Sequence, residues 1–428
     1  MSKVLIVSSV LPFPADNGKK IVLGGFLKYF KYRYGEHSVV WLYVGNKQPE
    51  ATQSNVHFHT IKLPNSILRL LSVLRYALVD GGKSIQEAIL YTNKIAIEVR
   101  SQIQAEQPDL IMLDTVRAAQ YGVPDEYMNR TVLYMEDLFS VRYQRMIDIL
   151  NQAGIQKLNV LGNFISFIPA FLRIFIQNSR AIQRGLLRLE KKLIEKSELR
   201  CAKQFRLNIL LNQDEATLLR KRSFQSQIAV TKPLLPRSLP NSLERRYDGN
   251  FNFVFIGGLN YAPNEVAMLT FIEKAMPLII FRAPDFNLKI IGKNASDKLI
   301  AEVGKFSDNI QLMGFVPDLT DLLSKCCGMI VPMTFGTGIK LKTLEALSYG
   351  VPIVSTSIGV EGISVVNGTQ CIIEDDLTRF PELMLSLRDI KRNEYFSREA
   401  GAFYALHYSQ KQVFMEYDLM FKNILNEE

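Results

Sequence analysis

The residues best equipped for chemistry lie in Phe335-Gly-Thr-Gly-Ile-Lys-Leu-Lys-Thr-Leu-Glu-Ala-Leu-Ser-Tyr-Gly350, followed at once by the strand-like Val351-Pro-Ile-Val-Ser-Thr356. Gly336, Thr337 and Gly338 form a turn predicted to open a helix over 338–349, with Lys340 and Lys342 in its first turn. A helix N-terminus already carries partial positive charge, so each lysine there is unfavourable by a few tenths of a kcal/mol. A bound anion reverses that sign, because free backbone N–H groups and two ammonium groups then converge on it. Glu345, farther along the same helix, only accepts hydrogen bonds when ionised and suits the hydroxyls of a sugar. The combination points to a phosphate compound that bears a sugar. The competing reading is a solvated helix face with Lys342 and Glu345 as an ordinary i,i+3 pair.

Gly359, Glu361 and Gly362 follow the 351–356 strand, at the end where open α/β sheets bind ligands. Their backbone N–H groups suit phosphate or hydroxyls, and Glu361 can orient a donor sugar; a plain strand-to-helix turn is the alternative. Gly18 and Lys19 open a helix after the first strand, where Lys19 can neutralise a phosphate. No P-loop spacing accompanies them. Asp114, Glu136 and Asp137 end or follow predicted strands and can bind acceptor hydroxyls or act as a base, or simply cap helices.

These residues need a scaffold that gathers strand C-termini. From about 250 onward, short apolar runs at 251–257, 286–292, 309–314, 328–332 and 351–355 alternate with helical stretches at 264–282, 295–305, 317–326 and 338–349. Unalternated apolar runs separated by helices predict a parallel sheet covered on both faces, a doubly wound α/β domain. The first half repeats the theme: strands at 3–9, 38–44, 109–113, 131–135 and 207–211, a helix from Gly18 to Tyr34, and a mostly helical insertion at 140–203. Ser223–Asn250, with Pro233, Pro236 and Pro240, reads as the interdomain linker. The expected division is a domain at 1–235, a second at 236–405, and a C-terminal helix in 406–428 that packs back on the first. Two such domains are expected to face a shared cleft.

A chain of 428 residues is too long for one ordinary core. Its 47% hydrophobic and 22% charged residues fit a globular enzyme. The net charge of +9 admits nucleic acid, an anionic membrane or phosphorylated substrates as partners. Nucleic acid is disfavoured, since the charge is dispersed and Trp41 lies near no basic cluster. Cys201, Cys326, Cys327 and Cys371 lack metal-site spacing and read as buried thiols. The four histidines carry no ligand spacing on a helix; His57 and His59 alternate as in a half-exposed strand, and no metal is expected. The opening residues read as a strand rather than a secretory signal, so a cytoplasmic protein is expected. Two basic amphipathic stretches, 67–78 and 160–176, fit either a membrane interface or core helices, which makes the cytoplasmic face of a membrane a candidate partner.

The segment from Gly336 to Leu347, the following Gly-Val-Pro-Ile-Val-Ser-Thr and Gly359-Val-Glu-Gly362 resemble the nucleotide-sugar domain of family 4 (group 1) glycosyltransferases with the GT-B fold. Ile256-Gly-Gly-Leu-Asn-Tyr-Ala-Pro-Asn264, which contains Gly257 and Gly258, fits the same pattern, as do Leu288-Lys-Ile-Ile-Gly292, Leu312-Met-Gly-Phe-Val316 and Met329-Ile-Val-Pro332. More loosely, Pro12-Phe-Pro-Ala-Asp-Asn-Gly-Lys19, Pro108-Asp-Leu-Ile-Met-Leu-Asp114, Ala119-Gln-Tyr121 and Glu136-Asp137 resemble bacterial exopolysaccharide sugar transferases. The resemblance implies two Rossmann-like domains and transfer from a nucleotide-diphospho-sugar, as co-substrate rather than resident cofactor, to a glycan or lipid-linked acceptor. It further implies retention at the anomeric carbon, no bound metal, a ribose contact for Glu345 and a base contact at Phe315 and Val316. Lys340, Glu345 and Asp137 are the candidate catalytic residues. The chain departs from the family at Thr337, where many relatives have glutamate, and in the loop 258–265, which lacks their Arg and Lys. Lys340 and Lys342 are expected to compensate. A catalytically degenerate sugar- or partner-binding protein, and a nucleotide-sugar epimerase of the same fold, are the alternatives; an oxidoreductase is disfavoured by the missing G-x-G-x-x-G turn.

Overall fold

In a computed structural model the chain forms two compact units, Met1–Pro236 together with Val413–Glu428, and Arg237–Gln412. The described residues are 2–15, 17–48, 56–151, 179–224, 227–236 and 245–425. The 160–176 stretch, Asp16 and part of the expected linker lie outside them.

The first unit holds a parallel sheet of β1 (Val4–Ser8), β2 (Val39–Val44), β3 (His57–Ile61), β4 (Leu110–Asp114), β5 (Thr131–Glu136), β6 (Leu207–Leu210) and β7 (Ile228–Val230). Their spatial order is β3-β2-β1-β4-β5-β6-β7. Every residue of β1, β2 and β4 is buried, which is why they read as unbroken apolar runs. The Gly18–Tyr34 helix starts where Asn17 Oδ1 accepts from the Lys20 N–H at 3.2 Å. Its Phe26, Tyr29 and Phe30 meet the Gln410–Leu425 helix: the Phe26 and Tyr417 rings lie 4.9 Å apart, and those of Phe30 and Phe421 5.1 Å. Tyr29 donates to Asp418 at 2.8 Å, and Tyr417 donates to the Lys232 carbonyl at 2.9 Å.

The second unit holds β8 (Asn252–Ile256), β9 (Asn287–Ile291), β10 (Ile310–Gly314), β11 (Gly328–Val331), β12 (Ile353–Ser355) and β13 (Ile372–Ile373), again parallel, in the order β10-β9-β8-β11-β12-β13. Phe251, Phe253 and Phe286 cluster at its base.

Several local expectations need correction. The helix predicted at 264–282 is two helices, Ala262–Lys274 and Met276–Arg282, because Pro277 cannot continue the first. The helix expected from 338 begins at Leu341: Gly338 has φ +70° and Lys340 is extended, so Lys340 is the cap residue and only Lys342 lies in the first turn. The segment read as a linker contains the edge strand β7. All four cysteines are buried and free, as expected.

Candidate functional site

In the second sheet the direction of strand succession reverses between β8 and β11, and the loops after those strands flank the switch point where open α/β sheets take ligands. The Leu341–Ser348 helix brings both lysines there. Lys342 Nζ donates at 2.6 Å to Asn264 Oδ1, in the first turn of the Ala262–Lys274 helix that follows β8, and lies 4.1 Å above the Phe255 ring. It is therefore not part of a solvated face. A Cβ at Gly257 would stand 2.9 Å from that ammonium and 2.6 Å from Asn264 Nδ2, so only glycine leaves room for this approach. Burial, with a smaller contribution from Lys340, pushes the Lys342 pKa down to about 7. Asn264 Nδ2 in turn donates to the Gly258 carbonyl at 2.9 Å.

Lys340, 8% exposed, turns the other way. Its Nζ donates to the Gly338 carbonyl at 2.7 Å and pairs with Glu361 at 3.2 Å, in the turn after β12. Thr343 Oγ1 donates to the Gly359 carbonyl at 2.7 Å and fastens the helix to the same turn. Gly257 and Gly258, then Gly336, Thr337, Gly338 and Lys340 with Lys342 in the helix that follows, and Gly359, Glu361 and Gly362 thus lie in the segments after β8, β11 and β12. Glu345 is half-buried farther along the helix, close enough to raise the pKa of Tyr404 in the Ile390–Tyr408 helix, although burial is the larger cause. Phe315 and Val316 follow β10; Phe315 is exposed beneath Lys293, whose Nζ stands 4.4 Å from the ring centre.

The first unit repeats the arrangement with other chemistry. Its switch point lies between β1 and β4. There Ser8 donates to Asp114 Oδ2 at 2.6 Å, and Lys19 Nζ bridges Asp114 at 2.8 Å and Glu136 at 3.1 Å. Gly18, the first residue of the helix, positions Lys19. Thr115 and Glu136 take φ of +65° and +70°, conformations that cost non-glycine residues about 1–3 kcal/mol and gather at functional sites. Asp137 is held in a fork by Arg142, at 2.6 Å and 2.8 Å from Nη2.

Asn264, Ser8, Arg142 and Lys293 escaped the sequence reading. Asn264, Ser8 and Lys293 join the site through contacts across many residues of chain, and Arg142 through one only five residues away, at Asp137. Glu106 escaped it too: with His57 and His59, whose spacing gave no expectation of a metal, it forms among the described residues a group with a ligand atom each within 4.8 Å of one another, a grouping able to hold a metal ion. His59 Nε2 lies 3.1 Å from His57 Nε2 and 2.7 Å from Glu106, which also pairs with Lys3 at 2.5 Å. The group sits on the edge strand β3, beside the residue preceding β1 and the end of the Asn93–Glu106 helix. The Lys19 cluster lies instead at the strand C-termini.

Residues 250–389 match the family described as Glycosyl transferases group 1. An uncharacterized 44.6 kDa protein in the cps region of Klebsiella pneumoniae is 31% identical over 191 residues, 42% of this chain and 49% of that protein. The chain thus aligns with about half the length of this curated relative. Among solved structures, Anabaena HepE in complex with UDP-glucose aligns over 97% of this chain and 98% of its own, with a TM-score of 0.60 and 12% identity. Staphylococcus aureus TarM, in a complex of its G117R mutant with fondaparinux, α-GlcNAc-glycerol and UDP, aligns over 98% and 100%, with a TM-score of 0.64 and 9% identity. Thermosynechococcus elongatus sucrose-phosphate synthase aligns over 100% of both chains, with a TM-score of 0.66 and 12% identity. The chain has the GT-B fold, and residues 250–389 within its second unit are similar to the group 1 glycosyltransferases.

Proposed function

We propose that this protein is a glycosyltransferase that moves a sugar from a nucleoside diphosphate donor to a glycan or lipid-linked acceptor in polysaccharide or envelope glycan assembly, working at the cytoplasmic face of a membrane. The relative in a cps region supports the polysaccharide setting. The UDP and UDP-glucose held by HepE make uridine diphosphate sugars the first donors to try.

The observation that carries this reading is the pair of lysines brought to one strand edge from a single helix start. As the sugar–phosphate bond breaks, negative charge grows on the departing diphosphate. Preorganised cations and N–H groups lower that barrier most when they are already desolvated. Lys342 is such a cation, and through Asn264 it reaches the very segment, 258–265, in which the family's usual basic residues are missing. Gly336 and Gly338 let the phosphates approach the backbone. Lys340 serves the leaving group from the Glu361 side, while Glu361 orients the sugar, Glu345 receives ribose hydroxyls, and Phe315 with Val316 meets the base. In the first unit Lys19, Asp114 and Glu136 bind acceptor groups, and Asp137 takes part through Arg142. We assign no protein nucleophile: the departing phosphate takes the acceptor's proton, with retention at the anomeric carbon. The lysines supply the charge that a metal would otherwise bring.

The test is donor hydrolysis and transfer across a panel of nucleotide sugars without added metal. Lys340→Ala should lower turnover at least about tenfold, about 1.4 kcal/mol in transition-state stabilisation. Unchanged kinetics would remove Lys340 from the mechanism. Absence of hydrolysis, transfer and nucleotide binding across the panel would leave the catalytically degenerate reading, which Thr337 favours.

A further inference from the structure

His57, His59 and Ile61 lie on one face of the edge strand β3, since side chains two apart in a strand point the same way. Their partners in β2 are Val40, Leu42 and Val44. Together with Ile61, those three belong to the core that the Asn93–Glu106 helix covers through Ile95, Val99 and Ile103. The two histidines therefore continue a core-facing row outward to its rim. A carboxylate meets them there, because Glu106 is the last residue of that helix.

His59 Nε2 faces two neighbours at once, His57 Nε2 and Glu106 Oε1. A ring nitrogen carries at most one proton, so it cannot give both a straight hydrogen bond. If His57 supplies the proton instead, the bare His59 nitrogen is left against the carboxylate. A metal ion removes the conflict, since all three atoms then offer it lone pairs. Metal–nitrogen and metal–oxygen bonds of about 2.0–2.1 Å set neighbouring ligand atoms about 3 Å apart. The separations of 3.1 Å and 2.7 Å are close to that spacing. Lys3 holds the other carboxylate oxygen, Oε2, and so fixes the group with Oε1 toward the histidines, as outer partners orient metal ligands.

We propose that His57, His59 and Glu106 bind one divalent transition-metal ion of the zinc class, which staples the edge strand β3 to the end of the Asn93–Glu106 helix. Two imidazoles and a single carboxylate suit zinc, whereas calcium and magnesium ask for oxygen ligands. His57 is exposed, so water completes the coordination. The strand gains a second tether on a sheet edge where only β2 pairs with it. The ion lies away from the strand C-termini that carry Lys19, Asp114 and Glu136. It therefore stabilises the first unit and takes no part in sugar transfer, and the proposal stands apart from the transfer reading.

The experiment is calorimetric titration of the full chain, free of any histidine tag and stripped with a chelator, using zinc chloride. One ion should bind per chain, and calcium at the same concentration should give no response. With zinc at about a hundred times its dissociation constant, Tm should rise by about 5 °C. His57→Gln and His59→Gln should each weaken binding by about tenfold or more and lose most of that rise. His57 is exposed, so His57→Gln should keep the metal-free Tm and circular dichroism of the wild type, and its lost binding is then not lost folding. The proposal is overturned if the wild type takes up no zinc, if calcium binds equally, if both variants bind as the wild type does, or if bound zinc leaves Tm unchanged. Hydrolysis of a nucleotide sugar is read in parallel, with and without chelator. Equal turnover agrees with a purely stabilising ion; turnover lost on chelation would overturn that assignment. Zinc binding without any hydrolysis removes only the transfer reading.

Discussion

Lys342 holds its ammonium between an amide oxygen and an aromatic ring, with its pKa pushed down to about 7. Near neutral pH it is therefore half neutral. A diphosphate beside it would raise that pKa, so above pH 7 donor binding should take up a proton. The sign follows: the ligand prefers the protonated lysine, and affinity falls as pH rises past 7. Between pH 7 and 8.5 a nucleotide sugar should bind about tenfold more weakly. Calorimetry in buffers of different ionisation enthalpy would register the proton uptake directly. Lys342→Gln should bind weakly and lose this pH dependence. Equal wild-type affinity at the two pH values would mean that Lys342 does not touch the diphosphate.

Among the elements, the Gln410–Leu425 helix shows most directly what packing contributes. Tyr417 is fully buried against Phe26 and Tyr29, with its hydroxyl on the Lys232 carbonyl. Tyr417→Ala removes that ring from an aromatic cluster with little room to collapse, and should cost about 3–5 kcal/mol. Denaturant unfolding of the first unit would measure it; a loss under about 1 kcal/mol would show that the helix is only loosely held. The buried strands and the Gly18–Tyr34 helix were legible in the sequence because their apolar runs and breakers are local. So was the cluster of glycines and lysines around 336–342, whose spacing is a property of one turn and one helix. The short edge strands β7 and β13 were not legible, since two or three residues carry no period. Neither was Asn264 as the partner of Lys342, nor Glu106 as the partner of His59, because topology rather than spacing joins them. The start of the 341–348 helix was misplaced for a related reason: Lys340 is drawn out of helical geometry by its contacts with Gly338 and Glu361.

At the scale of the whole molecule, stability should respond to groups that the site does not use. Burial pushes Glu190 up to about 7 and Glu198 up to about 8, from an ordinary value of 4.5. Glu190 accepts from the Ile85 N–H at 2.7 Å, and Glu198 from the Ser140 N–H at 3.1 Å. A carboxyl whose folded pKa is raised binds its proton more tightly in the folded state. The folded form therefore gains over the unfolded form below about 4.5, and that advantage is lost as pH rises to about 8. Tm should fall between pH 5 and pH 8, and Glu198→Gln should remove roughly half of that fall. An identical decline in the variant would assign the effect to other groups.

The first unit is built from two separated pieces of chain, with the second unit, Arg237–Gln412, between them. Synthesis is vectorial, and domains generally begin to fold as they emerge. Phe26, Tyr29 and Phe30 must therefore wait, uncovered, until residues 413–425 have been made. The second unit is contiguous and has no such delay. The domain translated later is thus free to finish first, while the earlier one stays open to chaperones and to mispairing until its last helix arrives.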